Sequence, residues 1–405
     1  METFYKTPRI IFIGLIIFFI GAILSILRGP HFSDGDAYSI INSYLIFTET
    51  GTYSPSRGAY GHPIPEFLLG FVAYNFGVIA SNILSFIFFY LSIIFIAISF
   101  VKKEKLLFFI LVFSNSILLI DNTNTIDYPL ALFFFSIGFY FLRKSILISS
   151  VFFSFCIASR ASFSLFIYPI ILIYFFSKYS EKNKSIINIF KSLTIITTIG
   201  ILFYIPVFVV NDFSLSFIKI PFITKNTSPG WYGGPEFSLI SLMPRFFYKV
   251  YQSIGIFSSL VVAYLLLTNI FKIKQINKID LIIFFIVSLN LIIFFFIPTK
   301  YFILNPFVIF LYIFLTNTIN KKIIKILILC NILQWIISYN LIDIKYKNNN
   351  LCEAKHAISA TYTFKIEDGY LYKFFKSLNT SSCYEKYLGK YSQNYINNMP
   401  LKLSK

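Results

Sequence analysis

The recurrence of long apolar runs constrains this chain more than any other feature of its sequence. Lipid offers the backbone no hydrogen-bond partner, so a chain crosses a bilayer only as helices of about 20 mostly apolar residues or as a closed barrel. Charged residues make up 13% of the 405 residues, whereas a soluble domain carries about 25%. These observations predict an all-α polytopic membrane protein.

About eleven transmembrane helices can be placed along the chain. The first apolar run is predicted to be an uncleaved span, because no small-x-small cleavage motif follows it and further spans do. An alternative for the second span is one long tilted helix over residues 66–101. A transmembrane domain is predicted over residues 1–340, and a small tail over 341–405. The predicted spans are approximately 10–27, 78–101, 106–120, 128–142, 146–159, 162–177, 186–210, 250–271, 279–297, 302–319 and 323–340.

Charge divides the connections between these spans into two alternating sets. One set is basic, for example at Lys102, Lys103, Arg143 and Lys144, and the other carries the acids, prolines and glycines. Basic connections stay in the cytoplasm, so the N-terminus is predicted to be cytoplasmic, and the polar loops and C-terminal tail periplasmic. The net charge of +18 follows this sorting. The composition, rich in Ile, Phe, Lys and Asn, indicates an AT-rich bacterial genome, so the expected location is a bacterial inner (plasma) membrane. No nucleic acid is expected as a partner, because most of the chain lies in lipid.

The first outer loop contains two stretches with apolar residues at helical spacing, DAYSIINSYLIFTETG and IPEFLLGFVAYNFG. This pattern predicts interfacial helices, the second broken by Pro65 and Gly77. Asp34 precedes the first of them, and Asp36 is its first residue. Two carboxylates at the mouth of a span suit a general base or a divalent-cation site. The alternative is that one of them caps a helix beginning near Ala37.

Other polar residues at the outer mouths are candidates for substrate binding. Arg57 suits bidentate phosphate binding, and His62 could be a base, a ligand or a structural residue. Asp127 precedes Tyr-Pro and could instead cap a helix. Arg160 lies between two apolar runs and needs a partner or water, whereas Lys300 could merely snorkel. The remaining candidates are Tyr38, Tyr60, Glu66, Asp121, Trp231, Arg245 and Tyr301.

Four stretches occur in an order that resembles the GT-C superfamily of membrane glycosyltransferases. They are DGDAY with GTYSPSRGAYGHPIPE, then IDYPLALFF, then SRASF, then PTKYFILNP. The likeness is to the protein-mannosyltransferase and aminoarabinose-transferase branch (glycosyltransferase family 39-like), and it covers approximately residues 30–310.

The resemblance implies roles for particular residues. Asp34 matches the first acid of a pair that supplies the catalytic base in the family. The second acid is Gly35 here, a departure for which Asp36 is the candidate replacement, so either carboxylate could be the base. Tyr38 matches the tyrosine that follows the pair, and Asp127 matches the acid of a later D-x-P motif.

The resemblance also implies how the donor would be bound. Arg57, His62 and Pro63 match a substrate-binding stretch before the second span. Lys300 and Tyr301 match a basic-aromatic pair associated with the lipid phosphate of the donor, with lysine in place of the commoner arginine. Lysine supplies the charge but lacks the bidentate fork of arginine.

The function implied is an inverting glycosyltransferase acting on the periplasmic face. The donor would be a sugar on undecaprenyl (polyprenyl) phosphate, and the acceptor a hydroxyl of a glycan, lipid or protein. The expected pathway is surface polysaccharide or lipopolysaccharide modification. Arg57, Arg160, Arg245 and Lys300 would stabilise the phosphate charge. Trp231 could stack on a sugar ring or anchor the chain at the interface. No cofactor is required by the pattern, although the acid pair could hold a divalent cation.

Two other functions stay open at the level of sequence. An O-antigen or capsule polymerase uses similar donors but would be expected to carry an arginine-rich outer loop. A non-enzymatic flippase or transporter of lipid-linked sugars would need polar residues deep within its spans. In the tail, Cys352 and Cys383 are predicted to form a disulfide, since oxidation is permitted outside the cytoplasm.

Overall fold

The computed structural model describes residues 8–28, 35–56, 60–178, 182–214, 243, 246–247, 250–251, 253–269, 278–296 and 304–347. Over these residues the protein is all-helical, which confirms the predicted all-α class. The helices are α1 (Pro8–Arg28), α2 (Gly35–Thr50), α3 (Pro63–Phe76), α4 (Val78–Phe100), α5 (Lys105–Ser114), α6 (Ser116–Asp121), α7 (Asp127–Leu142), α8 (Ile146–Ser159), a 3-10 turn (Ala161–Phe163), α9 (Ser164–Lys178), α10 (Lys182–Val210), α11 (Ile256–Asn269), α12 (Lys278–Phe296), α13 (Asn305–Thr318) and α14 (Lys321–Lys347).

The first polar loop forms two helices, α2 and α3, as its apolar spacing predicts. α2 begins at Gly35, so Asp36 is the second residue of the helix and not its N-cap. Pro65 lies in the first turn of α3, where proline is tolerated, so the expected break at this residue does not occur. Gly77, with φ of +90°, separates α3 from α4 in a conformation that glycine adopts without strain. The alternative of one long helix over 66–101 is therefore wrong.

The predicted span at 106–120 is interrupted at Asn115. This residue leaves the helical conformation, and its side-chain oxygen caps α6 by accepting the Leu118 N–H at 3.0 Å. Its Nδ2 donates to the Tyr312 hydroxyl on α13 at 2.9 Å. Asn115 therefore caps the start of α6 and at the same time bonds to α13. These two hydrogen bonds explain why the helix is interrupted at this residue.

The centre of the bundle is formed by α4, α7 and α8, with α10 packed on α8. The contacts are largely aromatic, and Phe100 on α4 stacks on Phe139 on α7 with ring centroids 4.0 Å apart. Gly138 admits the ring of Phe153, which would lie 2.6 Å from an added Cβ. Because α7 and α8 pack along each other and are joined by a short turn, they are antiparallel. The start of α7 and the end of α8 therefore lie at the same end of the bundle.

Two helical segments are long and apolar enough to cross a membrane, Val78–Phe100 and Asn183–Val210. Several shorter apolar helices accompany them, and the predicted span at 146–159 coincides with α8. The last predicted span ends at 340, whereas α14 continues to Lys347. The count of eleven spans stays a prediction.

Candidate functional site

A buried carboxylate at the start of α7 is the centre of the candidate site. Asp127 is the first helical residue, the N-cap position belongs to Ile126, and no side-chain cap hydrogen bond is formed. The alternative that Asp127 caps the helix is therefore wrong. Its Oδ2 instead forms an ion pair with Nη1 of Arg160 and lies 3.2 Å from Nε2 of His62. The Asp127 side chain is only 1% exposed, so this charge is almost fully withdrawn from water.

Arg160 reaches Asp127 from the residue that follows α8. Its extended backbone ends the helix, and its N–H still donates to the Cys156 carbonyl at 2.9 Å. The guanidinium carbon lies 3.6 Å from the centroid of the Tyr128 ring. A cation held by both a carboxylate and an aromatic face is fixed in orientation as well as charge. The sequence predicts that Arg160 needs a partner or water, and Asp127 of α7 is that partner.

His62 joins the first polar loop to the same carboxylate. It occupies the N-cap position of α3, is 5% exposed, and its ring meets the Tyr60 ring edge-on with centroids 6.2 Å apart. Its backbone N–H donates to Glu66 Oε1 at 2.8 Å. The imidazole is therefore held by Asp127 and the backbone by Glu66.

Glu66, in the first turn of α3, is 1% exposed and accepts four hydrogen bonds. Its Oε1 accepts the backbone N–H groups of His62 at 2.8 Å and Ser56 at 3.0 Å. Its Oε2 accepts the hydroxyls of Tyr53 and, at 3.4 Å, of Ser43. Burial and the neighbouring Glu66 carboxylate raise the pKa of Tyr53 well above its ordinary value, so its hydroxyl stays protonated and donates. We call His62, Glu66, Asp127 and Arg160 the charged cluster.

Tyr204 on α10 adjoins the charged cluster and was not foreseen from the sequence. Its hydroxyl donates to the Ile157 carbonyl on α8 at 3.3 Å. Within an apolar run a tyrosine has no distinguishing signal, so only the packing of α10 on α8 reveals this placement.

The loop between α6 and α7 is polar yet buried. Asp121 and Asp127 stand at its two ends with relative exposures of 8% and 1%. Between them, Thr125 is fully buried and its hydroxyl donates to Asn82 on α4 at 2.8 Å. A buried loop is stable only if its polar groups find partners within the protein. The hydrogen bond from Thr125 to Asn82 therefore ties the segment just before Asp127 to α4.

The remaining predicted site residues have side chains that the structure does not describe. Asp36 and Tyr38 are in α2, but their side chains are not described. The structure therefore does not relate either candidate base to the charged cluster. Beyond the described ranges fall Asp34, Arg57, Trp231, Arg245, Lys300 and Tyr301, and also Cys352 and Cys383.

A second buried group, which we call the polar junction, connects α14 to the α5–α6 break. Asn331 donates to the Leu111 carbonyl at 3.2 Å, and the Trp335 indole N–H donates to the Ser114 carbonyl at 2.9 Å. Both carbonyls belong to the end of α5, where helix termination leaves carbonyls without a backbone N–H partner in the same helix. The polar junction therefore closes the broken helix.

Among the residues that the structure describes, no three histidine, cysteine, aspartate or glutamate side chains are grouped as a metal site would require. No protein-family model, curated protein or solved structure matches this chain. The charged cluster is accordingly the observation from which a function has to be inferred.

Proposed function

We propose that the chain is an integral-membrane glycosyltransferase that moves a sugar from polyprenyl phosphate to an acceptor hydroxyl at the periplasmic face. The observation that carries this proposal is the convergence of His62, Asp127 and Arg160 in the charged cluster. These residues come from three separate segments: His62 from the first outer loop, and Asp127 and Arg160 from the mouths of predicted spans. Buried ionisable groups are costly, and in membrane proteins they usually serve a function.

Membrane insertion is supported by the outer surface of the helices. Large apolar side chains are exposed on several of them, including Phe12 at 64%, Phe190 at 66% and Leu260 at 70%. A soluble monomer rarely leaves large apolar patches in water. Together with the two long apolar helices, these surfaces suit contact with lipid in a protein of eleven spans.

The proposed orientation follows from the ends of α7. Asp127 begins the helix, and the basic pair Arg143 and Lys144 follows its last residue. By the positive-inside rule the basic end faces the cytoplasm. The charged cluster would then open toward the periplasm, where a lipid-linked donor is available after its sugar has been flipped.

The proposed reaction is a single inverting displacement. A carboxylate, Asp34 or Asp36, takes the proton of the acceptor hydroxyl, and the acceptor oxygen forms a bond to the anomeric carbon. The bond from that carbon to the phosphate oxygen breaks, and the lipid phosphate leaves with the electron pair. Arg160, together with Arg57 and Lys300, would stabilise the charge that develops on the leaving phosphate, an effect of several kcal/mol in a water-poor site.

The cluster geometry suits this use of Arg160. A guanidinium carries five N–H donors, and the ion pair with Asp127 is made through Nη1. The Tyr128 face and Asp127 fix its plane before the substrate arrives. Pre-orientation of this kind reduces the reorganisation that the transition state would otherwise require.

The polar junction speaks against the transporter alternative. Transporters bind substrates and ions at broken helices, whose freed carbonyls serve as ligands. Here the carbonyls of Leu111 and Ser114 at the α5 break already accept hydrogen bonds from Asn331 and Trp335. A glycosyltransferase requires no such open break.

Deletion of the gene in its host tests the proposal. Mass spectrometry of the extracted lipids should reveal an accumulated polyprenyl-phosphate sugar, and the wild-type gene should remove it. Arg160→Lys keeps the charge but loses the planar stack, so it should leave most of the sugar lipid in place, whereas the exposed control Glu104→Gln should clear it. An unchanged lipid profile and an unchanged surface glycan in the deletion strain would refute the proposed function.

A further inference from the structure

We infer that Glu66 is a positioning residue, which fastens the connection between α2 and α3 and so sets where the His62 imidazole meets Asp127. Its effect on sugar transfer rests on the proposed function, whereas the fastening itself does not. In this role Glu66 acts through His62 and does not touch the substrate.

The four hydrogen bonds of Glu66 support this role over substrate binding. A carboxylate offers about four lone-pair sites, and donors from Ser43, Tyr53, Ser56 and His62 occupy that number. The donors come from α2, from the connection and from the start of α3. One buried carboxylate therefore ties three consecutive segments together and has no acceptor capacity left for a ligand.

His62 is the residue through which this fastening reaches the charged cluster. Its backbone N–H lies 2.8 Å from Glu66 Oε1, and its Nε2 lies 3.2 Å from Asp127 Oδ2. Glu66 of α3 therefore binds the backbone of His62, and Asp127 of α7 binds its imidazole. A displacement of about 1 Å in a reacting group can lower a rate about 100-fold.

Gly61 provides independent evidence for the tightness of this arrangement. A Cβ added at Gly61 would lie 2.5 Å from the Tyr53 hydroxyl and 2.6 Å from Glu66 Oε1. Gly61→Ala should therefore displace the fastening without removing any of its donors or acceptors. Gly200→Ala is the matched control, because nothing lies within 4 Å of the added Cβ there.

Limited proteolysis of the full-length protein in detergent tests the fastening. Arg57 is the one trypsin site between Arg28 and Lys102, and trypsin must bind residues on both sides of the bond it cuts. Cutting after Arg57 therefore requires Ser56 to leave Glu66. We expect Glu66→Gln and Gly61→Ala to raise the rate of this cut about 10-fold, as loss of charge-assisted hydrogen bonds predicts. Gly200→Ala should be cut at the wild-type rate.

Modification of His62 by diethyl pyrocarbonate tests the link to Asp127 in the same samples. The rate at His62, measured by peptide mass spectrometry against the other two histidines of the chain, should rise by about 10-fold in Glu66→Gln. Wild-type rates of both cleavage and modification in Glu66→Gln and Gly61→Ala would overturn the inference. Gly61→Ala keeps the test decisive if Glu66→Gln does not fold.

The catalytic consequence is read in membranes of the deletion strain that carry the endogenous lipid-linked donor. Glu66→Gln should lower the maximal transfer rate per folded protein about 10-fold, with the half-saturating acceptor concentration unchanged, because ground-state contacts remain. A raised half-saturating concentration at an unchanged maximal rate would assign Glu66 to substrate binding and refute positioning. Absence of transfer by the wild-type protein would refute the proposed function, while the cleavage and modification rates still decide whether Glu66 fastens His62.

Discussion

Replacing Asp127 with asparagine is the sharpest perturbation of the charged cluster. The substitution keeps the shape of the side chain but removes the negative charge that faces Arg160 and His62. Arg160 is left as a largely buried cation, and the protein has to bear the cost of keeping it out of water. We therefore expect Asp127→Asn to destabilise the fold as well as to impair function.

The magnitude follows from the burial of the two partners. Breaking a buried ion pair by removing one member costs about 3 to 5 kcal/mol. The Arg160 side chain is 15% exposed and keeps its stack on Tyr128, so the cost should fall near the lower end, about 3 kcal/mol. For a chain of this size that corresponds to a fall in melting temperature of about 3 to 4 °C.

A double-mutant cycle separates the pair from its surroundings. Thermal unfolding in one detergent would be followed for Asp127→Asn, Arg160→Met, the double variant and the exposed control Glu104→Gln. The double variant leaves no unpaired charge of this pair, so it should be more stable than the sum of the single changes predicts, with a coupling energy of about 2 kcal/mol. Additive effects, or a stability of Asp127→Asn equal to that of the control, would refute the buried ion pair.

Three further predictions concern other parts of the chain. Asn331→Leu removes a donor to the Leu111 carbonyl and the acceptor of the buried Ser258 hydroxyl, so thermal unfolding should show a loss of about 2 kcal/mol; an unchanged melting temperature would contradict the stabilisation of the helix break by Asn331. Asp34→Asn or Asp36→Asn should abolish sugar transfer without lowering the yield of folded protein, and near-normal turnover of both variants would exclude these residues as the base. Cys352 and Cys383 should resist alkylation until a reductant is added, whereas labelling without reduction would refute the predicted disulfide and a periplasmic tail.

The sequence predicted the individual members of the charged cluster more readily than their partnerships. His62, Asp127 and Arg160 were recognisable because each is a polar residue at the edge of an apolar run. For each of them a purely structural role, such as a helix cap or a solvated side chain, was also compatible with the local spacing. Asp127 and Arg160 are 33 residues apart, and local pattern contains no information on contacts at that separation.

The interruption of the span at 106–120 illustrates the same limit. Asn115 is a single polar residue within an apolar run, and such a residue is compatible with an unbroken helix. Its break is stabilised by Tyr312 and the polar junction, which lie about 200 residues further along the chain. Propensity alone could not foresee partners that only the packing of α13 and α14 supplies.

By itself, the sequence determined the helical class, the positions of most helices and the end of the bundle at which polar chemistry gathers. Hydrophobic length and charge distribution are properties of contiguous residues, and the cost of exposing an apolar run or a backbone amide acts locally. Only the tertiary structure decided that Asp127 pairs with Arg160 and His62, and that Glu66 is saturated by donors from three segments. Such pairings depend on which helix ends meet, and that is set by the packing of α3, α7, α8 and α10 against one another.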